Sequence, residues 1–367
     1  MKSSLFLALA GLLSANAQMP RPQPFESPVV HADRTVTLRF AAPNAKRVEL
    51  SSQFTVGNQE MRKDEAGVWS ITVGPVKPDL YPYNFVVDGI GVSDPANPDL
   101  FPNERFKASL VDIPGDPPLI HAVRDVPHGE VSYHQVKSAV LGATRPLLVY
   151  TPPGYRAGTD RLPVFYLVSG TTDTEETWFK VGKLNSILDN LIAEKRAVPM
   201  IVAMPYGNMM RGTPAPNSPQ AADMYRLFSD ELTKTIMPFV EATYRTREDR
   251  EARAIAGFSR GGGQSLFTGF LNQDKFAWIG SYSAYLTPAV MEQRFAGICG
   301  DPEGTNGKLK LLWLGVGKQD FLYNDARAFD EFLTAKGIRH TSLTTDGGHT
   351  WMNARAYLTE TLQRFFR

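Results

Sequence analysis

Residues 254–263 read Ala254-Ile255-Ala256-Gly257-Phe258-Ser259-Arg260-Gly261-Gly262-Gly263. A short apolar run precedes the serine, three glycines follow Arg260, and a helical pattern runs from Gly261 to Asn272. The spacing Gly257-x-Ser259-x-Gly261 predicts a sharp strand-to-helix turn with the serine at its apex. Such a turn holds its central residue in a strained backbone, and the positions two before and two after must be small or their side chains collide. The turn pushes Oγ beyond the strand end, and the helix N-terminus points N–H groups at developing negative charge. Ser259 is the candidate nucleophile.

Around this turn the chain alternates between two patterns. Val164–Val168, Met200–Met204, Ala254–Ala256 and Leu311–Val316 are near-continuous apolar runs, as in strands covered on both faces. Helical patterns at Asn185–Lys195, Tyr225–Thr243, Gly261–Asn272 and Asp325–Lys336 lie between and beyond them. This alternation predicts a mostly parallel sheet with helices on both sides over residues 129–367.

The first third reads differently. Thr35–Phe40, Arg47–Leu50, Val68–Val73 and Tyr81–Val87 alternate with period two, with turn signals at Asp64-Glu65-Ala66-Gly67 and Asp88-Gly89. Residues 18–112 are therefore expected to form a small all-β, immunoglobulin-like sandwich. Trp69 lies on an alternating strand and reads as core there, with a sugar platform as the other reading. Between the two regions, residues 113–128 carry Pro114-Gly115-Asp116-Pro117-Pro118 and Val126-Pro127-His128, a stiff connector that no continuous helix can cross.

Residues 1–17 have the form of a signal peptide. Lys2 supplies the positive start, Leu5–Leu13 the apolar run, and Ala15-Asn16-Ala17 the small-residue cleavage pattern. The run is too short to span a bilayer, so no membrane anchor is expected after cleavage. The chain has 367 residues, is 43% hydrophobic and 21% charged, and holds one cysteine, Cys299. A lone cysteine excludes an intramolecular disulfide and a tetrathiolate zinc site. Lys and Arg number 39 against 38 Asp and Glu, so no global field attracts nucleic acid or anionic lipid. Export without disulfides suits a bacterial periplasmic or secreted protein.

A serine hydroxyl needs a base, and in this fold the partners follow in the order Ser, acid, His. His340 and His349 are the histidines beyond Ser259. His340 reads as the start of an edge strand, whereas His349 sits in the glycine-flanked loop Asp346-Gly347-Gly348-His349-Thr350-Trp351, free to swing over the strand ends. His349 is the candidate base. Gly317-Lys318-Gln319-Asp320 follows the strand Leu311–Val316, which makes Asp320 the candidate to orient it. Oxyanion donors are expected from the N–H of Arg260 and from the loop Ser169-Gly170-Thr171-Thr172, where the N–H of Thr171 is favoured. Trp178, Tyr206, Asn208 and Trp351, on loops beyond strand ends, are candidate substrate contacts. Acyl transfer of this kind requires no metal or organic cofactor.

With these residues in place the chain resembles the feruloyl and acetyl-xylan esterases of carbohydrate esterase family one, in the esterase D-like branch of the α/β-hydrolases. Val126-Pro127-His128-Gly129, Arg145–Tyr155, Leu188-Asp189-Asn190-Leu191-Ile192, Gly317-x-x-Asp320 and Gly347-Gly348-His349-Thr350-Trp351 carry the likeness. Tyr81–Gly89 and Asp94-Pro95-Ala96-Asn97-Pro98 resemble the early-set domain of carbohydrate-binding module family forty-eight. Two positions depart from the family pattern: Ser169-Gly170 replaces His-Gly, and Ala354-Arg355 replaces Trp-Arg. The latter change is expected to remove a bulky neighbour from the rim of the site. The resemblance implies a secreted serine esterase acting on feruloylated or acetylated polysaccharide or oligosaccharide, with Ser259, Asp320 and His349 at the triad positions. Release of hydroxycinnamoyl (feruloyl) groups is the favoured activity, and an acetyl-xylan esterase, an enterochelin-type esterase, an acyltransferase or a catalytically silent carbohydrate-binding protein are the alternatives. Oligomeric state is not fixed by the sequence.

Overall fold

The computed structural model describes residues 25–209 and 219–367. The signal-peptide expectation, on residues 1–17, lies outside the described residues. The chain has an α/β fold: an N-terminal all-β region followed by a sheet flanked by helices.

The N-terminal strands are β1 (Val29–Val30), β2 (Val36–Ala41), β3 (Val48–Ser52), β4 (Gln59–Glu60), β5 (Arg62–Lys63), β6 (Val68–Val73), β7 (Asp79–Val87), β8 (Ile90–Val92) and β9 (Ser109–Ile113). They form one sheet in the order β1-β2-β6-β5 and a second in the order β4-β3-β7-β8, with β9 also paired to β7. Alternation places Val36, Leu38, Val48, Leu50, Tyr83 and Phe85 in the shared core between them. Trp69 is part of that core, and its indole N–H donates to the Ala42 carbonyl at 2.9 Å, so it offers no open sugar platform.

The second region is built on β10 (Glu130–Lys137), β11 (Thr144–Thr151), β12 (Val164–Val168), β13 (Ile201–Pro205), β14 (Arg253–Phe258), β15 (Trp278–Tyr282), β16 (Leu311–Gly317) and β17 (Thr341–Thr345). They make an eight-stranded sheet in the order β10-β11-β13-β12-β14-β15-β16-β17. β11 is antiparallel to both β10 and β13, and every other pairing is parallel. β15 escapes a reading based on apolar runs because Gly280 and Ser281 interrupt it, yet all five of its residues are buried.

The helices are α1 (Thr177–Lys180), α2 (Leu184–Ala193), α3 (Pro219–Glu231), α4 (Met237–Thr243), α5 (Arg260–Leu271), α6 (Pro288–Arg294), α7 (Ala296–Gly300), α8 (Pro302–Lys308), α9 (Tyr323–Ala335) and α10 (Trp351–Leu362). A π turn, Leu232–Ile236, joins α3 to α4 just before Pro238, whose missing N–H cannot complete a regular ladder. Period-two burial sorts the sheet's side chains into two cores. Phe165, Leu167, Ala256 and Phe258 face one layer with α2 and α10; Val164, Tyr166, Val168 and Ile255 face the other with Phe228, Leu266 and Phe329.

Residues 114–129 hold neither strand nor helix, but they are not a free spacer. Asn190 Nδ2 on α2 donates to the Ile120 and Ala122 carbonyls at 2.8 and 2.9 Å, and Asp189 accepts from the Gly129 N–H at 3.0 Å. The segment is pinned along the helix it passes.

Candidate active site

β14 ends at Phe258 and α5 begins at Arg260, leaving Ser259 alone at φ +56° and ψ −123°. The flanking glycines are required by space. A Cβ on Gly257 would lie 2.5 Å from the Gly261 carbonyl, and one on Gly261 would lie 2.3 Å from the Val168 oxygen. The turn is locked by the Ser259 N–H, which donates to the Tyr282 carbonyl at 2.8 Å. At the first position of α5 the Arg260 N–H has no acceptor within the helix and is free to receive an anion.

Asp320 and His349 lie on loops that leave neighbouring parallel strands, β16 and β17. The two loops are stitched together: Gln319 N–H donates to the Gly347 carbonyl at 3.0 Å, and Lys318 N–H to the Thr345 carbonyl at 2.9 Å. Asn353 Nδ2 holds the Asp346 and Gly348 carbonyls at 3.2 and 3.1 Å from within α10. This frame sets His349 Nδ1 at 2.9 and 3.0 Å from the two Asp320 oxygens. Asp320 is buried, which alone would raise its pKa. The His349 ring and the Leu322 N–H outweigh that penalty and hold the carboxyl below its ordinary value. The pair supplies an imidazole whose orientation and Nδ1–H tautomer are fixed by a carboxylate.

Two phenylalanine rings pack against the imidazole. Phe258, adjacent to Ser259, stacks on it with centroids 4.7 Å apart, and Phe321 approaches at 4.6 Å. Phe258 thereby brings the histidine to the serine turn. Among the described residues the Ser259 hydroxyl does not hydrogen-bond to His349; such contacts often tighten only when substrate binds. Phe321 is 75% exposed, an aromatic face presented to solvent beside the imidazole. Sequence reasoning passed over it, although its position directly after Asp320 was the available signal.

The loop after β12 is held from several sides. The buried Arg260 guanidinium donates to the Gly170 carbonyl at 2.7 Å. Because a trans peptide directs its C=O and N–H oppositely, this bond fixes the plane that carries the Thr171 N–H. Ser169 Oγ donates to the Thr174 carbonyl at 2.7 Å and closes the loop on itself. Burial lowers the Arg260 pKa to about 10, which leaves it charged at neutral pH. Asp173, 5% exposed, accepts the Gly170 N–H at 3.1 Å. Its burial pushes its pKa up to about 7, against the opposing pull of Asn103, Arg260 and the Gly170 N–H.

Two of the four expected substrate contacts are buried. Trp178 is 0% exposed and Trp351 4% exposed, with rings 4.7 Å apart in the core. Trp351 also lies 5.3 Å from Phe258, so these indoles support the serine turn from beneath and cannot meet a substrate. Both indoles, expected on loops beyond strand ends, lie instead in α1 and α10, which turn the rings inward. Tyr206 and Asn208 are half-buried, and their carbonyls accept Arg145 Nη2 at 2.9 and 2.5 Å. Among the described residues neither hydrogen-bonds to Ser259 or His349. Ala354 is fully buried, so its small side chain affects packing in the core and not the rim of the site.

This geometry gives the comparison with known proteins its meaning. The Esterase family model matches residues 138–365, which contain the serine turn, the acid and the histidine. The chain belongs to this family. A relative from Xylanibacter ruminicola, an endo-1,4-beta-xylanase/feruloyl esterase, is 30% identical over 84% of this chain. This chain spans 44% of that protein's length. Among solved structures, the feruloyl esterase module from Clostridium thermocellum superposes with a TM-score of 0.57 at 22% identity, covering 68% of this chain and 91% of that one. The enterobactin esterase of Shigella flexneri gives a TM-score of 0.65 at 17% identity, covering 90% of this chain and 93% of its own. At these identities the superpositions establish the fold, and the second extends it over the N-terminal sheets.

Proposed function

We propose that this member of the Esterase family is a secreted serine carboxylic-ester hydrolase that releases hydroxycinnamoyl groups, such as ferulate, from cell-wall polysaccharide or oligosaccharide. The observation that carries the chemistry is the His349–Asp320 pair set against a strained serine turn at 259. His349 Nε2 takes the proton of Ser259 Oγ as the oxygen attacks the ester carbonyl. The N–H groups of Arg260 and Thr171 receive the oxyanion, and Asp320 stabilises the imidazolium. The tetrahedral intermediate then expels the sugar alcohol, which leaves with that proton. Water attacks the acyl-enzyme by the same route, freeing the acid and restoring Ser259.

Exposed Phe321 beside the imidazole supports the aromatic acyl group, since a cinnamoyl ring could stack where an acetyl group would gain nothing. The name of the Xylanibacter relative points to the same substrate class. Export rests on the leader-like residues 1–17.

The test is a panel of methyl ferulate, methyl p-coumarate and acetylated xylan with the purified chain. Hydroxycinnamoyl esters should turn over fastest, and preference for acetyl groups would refute the acyl assignment. Ser259→Ala should lower kcat by at least ~10³-fold with an unchanged circular dichroism spectrum. Retained turnover in that variant would refute the nucleophile.

A further inference from the structure

The N-terminal region reaches the loop that carries the second oxyanion donor. Residues 102–107 leave the β-sandwich and lie along residues 170–177 of the α/β region. Asn103 forms a β-bridge with Asp173, the Glu104 N–H donates to the Thr172 carbonyl at 2.8 Å, and Thr177 Oγ1 donates to the Pro102 carbonyl at 2.9 Å. The Asn103 side chain uses both of its ends. Its Oδ1 accepts the N–H groups of Arg105 and Phe106 at 2.9 and 3.2 Å, which fixes its own turn. Its Nδ2 donates to Asp173 Oδ1 at 3.0 Å, while Asp173 Oδ2 accepts the Gly170 N–H at 3.1 Å.

We propose that Asn103 is a positioning residue for the oxyanion loop, acting through Asp173 and Gly170, so that the N-terminal region is a working part of the active site. The proposal rests on the serine-esterase reading. The Thr171 N–H lies between two residues that are both held: Gly170 at its carbonyl by Arg260 and at its N–H by Asp173, and Thr172 at its carbonyl by Glu104. Thr172 has φ +64°, an unfavourable conformation for a β-branched residue that persists only where the surroundings impose it. Asn103 and Asp173 are both buried, so water cannot replace the bond between them without opening the contact. Nothing in the sequence signals this pairing, because the partners lie 70 positions apart in different regions.

The test uses the full chain and two substitutions. Asn103→Asp keeps the oxygen that fixes the local turn but, assayed at about pH 9, well above the value near 7 at which Asp173 ionises, sets a second carboxylate against it; Asn103→Ala removes both roles. Each should lower kcat for an aryl ester by about ten- to a hundred-fold, with KM changed less than about three-fold. Combining Asn103→Asp with Asp173→Asn restores a donor–acceptor pair in the opposite sense and should recover most of kcat. Wild-type kcat in a folded Asn103→Asp variant, or a reversed pair that recovers nothing, would overturn the proposal. Fluorophosphonate labelling of Ser259 in the wild-type chain separates the two levels. A wild type that neither labels nor hydrolyses esters removes the esterase reading and the proposal with it; one that does both leaves the Asn103 variants to decide.

Discussion

Gly261→Ala tests whether the serine turn and the oxyanion loop are built against each other. The added Cβ would fall 2.3 Å from the Val168 oxygen and 2.6 Å from the Ser169 oxygen, against an ordinary contact that begins at 3.4 Å. Both obstacles are backbone atoms, so no rotamer change relieves them. Either the first turn of α5 or the chain at 168–169 must move by about 1 Å, and a displacement of that size in an aligned site costs about 10²-fold in rate. The movement separates the two proposed donors, because Arg260 N–H rides on α5 and Thr171 N–H lies two residues beyond Ser169. We expect kcat on a p-nitrophenyl ester to fall about a hundred-fold and fluorophosphonate labelling of Ser259 to slow in parallel. Gly297→Ala is the control: that Cβ meets nothing within 4 Å, and replacing a helical glycine should stabilise the chain slightly without altering turnover. Wild-type kcat/KM and an unchanged melting temperature in Gly261→Ala would refute the packing argument.

Other expectations follow from the same geometry. Asp320→Asn leaves the contact's shape but removes the charge that fixes the Nδ1–H tautomer; kcat should fall by ~10²–10⁴-fold with little change in KM, and a smaller loss would mean His349 is oriented by its stitched loop alone. Phe321→Ala should raise KM for methyl ferulate by about two- to ten-fold, the range of an aromatic contact, while leaving turnover of acetyl esters unchanged; equal effects on both would remove Phe321 as an acyl platform. Asp173 has a pKa raised to about 7 on folding, so it binds its proton more readily folded than unfolded. Its contribution to stability is complete below the ordinary carboxyl value of about 4 and is lost as pH rises through about 7. Melting temperatures of the wild type between pH 5 and 8 should therefore fall with a slope that Asp173→Asn reduces, and parallel slopes would contradict the assignment.

The fold and the pairing of acid with histidine were legible because each rests on local chemistry. The Gly-x-Ser-x-Gly spacing is dictated by contacts within five residues of Ser259 and with the strand beside it. Apolar runs revealed strands buried on both faces, such as β12 and β13. They failed for β15, where Gly280 must stay small because its Cβ would lie 2.8 Å from Ala256. Short strands such as β4 and β5 hold two residues each, too few to show any period. The indoles of Trp178 and Trp351 were misplaced because loop position was taken as a proxy for exposure. Phe321 is signalled only by its place directly after Asp320; its exposure beside the imidazole is a property of the tertiary arrangement.

The contacts between the two regions bear on what the N-terminal sheets are for. Arg355 on α10 is buried, and its guanidinium donates to the Val181 and Leu80 carbonyls, each at 2.7 Å, and to the Asp79 carboxylate at 2.6 Å. Asp79 and Leu80 belong to β7 of the sandwich, so two of the three partners of this α10 cation come from the N-terminal side, and the buried charge is satisfied only while the regions stay packed together. Burial pulls the Arg355 pKa down, and Asp79 acts to hold the charge in place. Close by, Met352 of α10 packs against the sandwich core, and Phe101 lies 6.4 Å from Trp351, the ring that supports Phe258 beneath the serine turn. An accessory module joined only to bring substrate near would need no such contacts. A cation, a methionine and an aromatic ring on this boundary, together with Asn103 at the oxyanion loop, are what is required if the catalytic geometry is set partly from the N-terminal side.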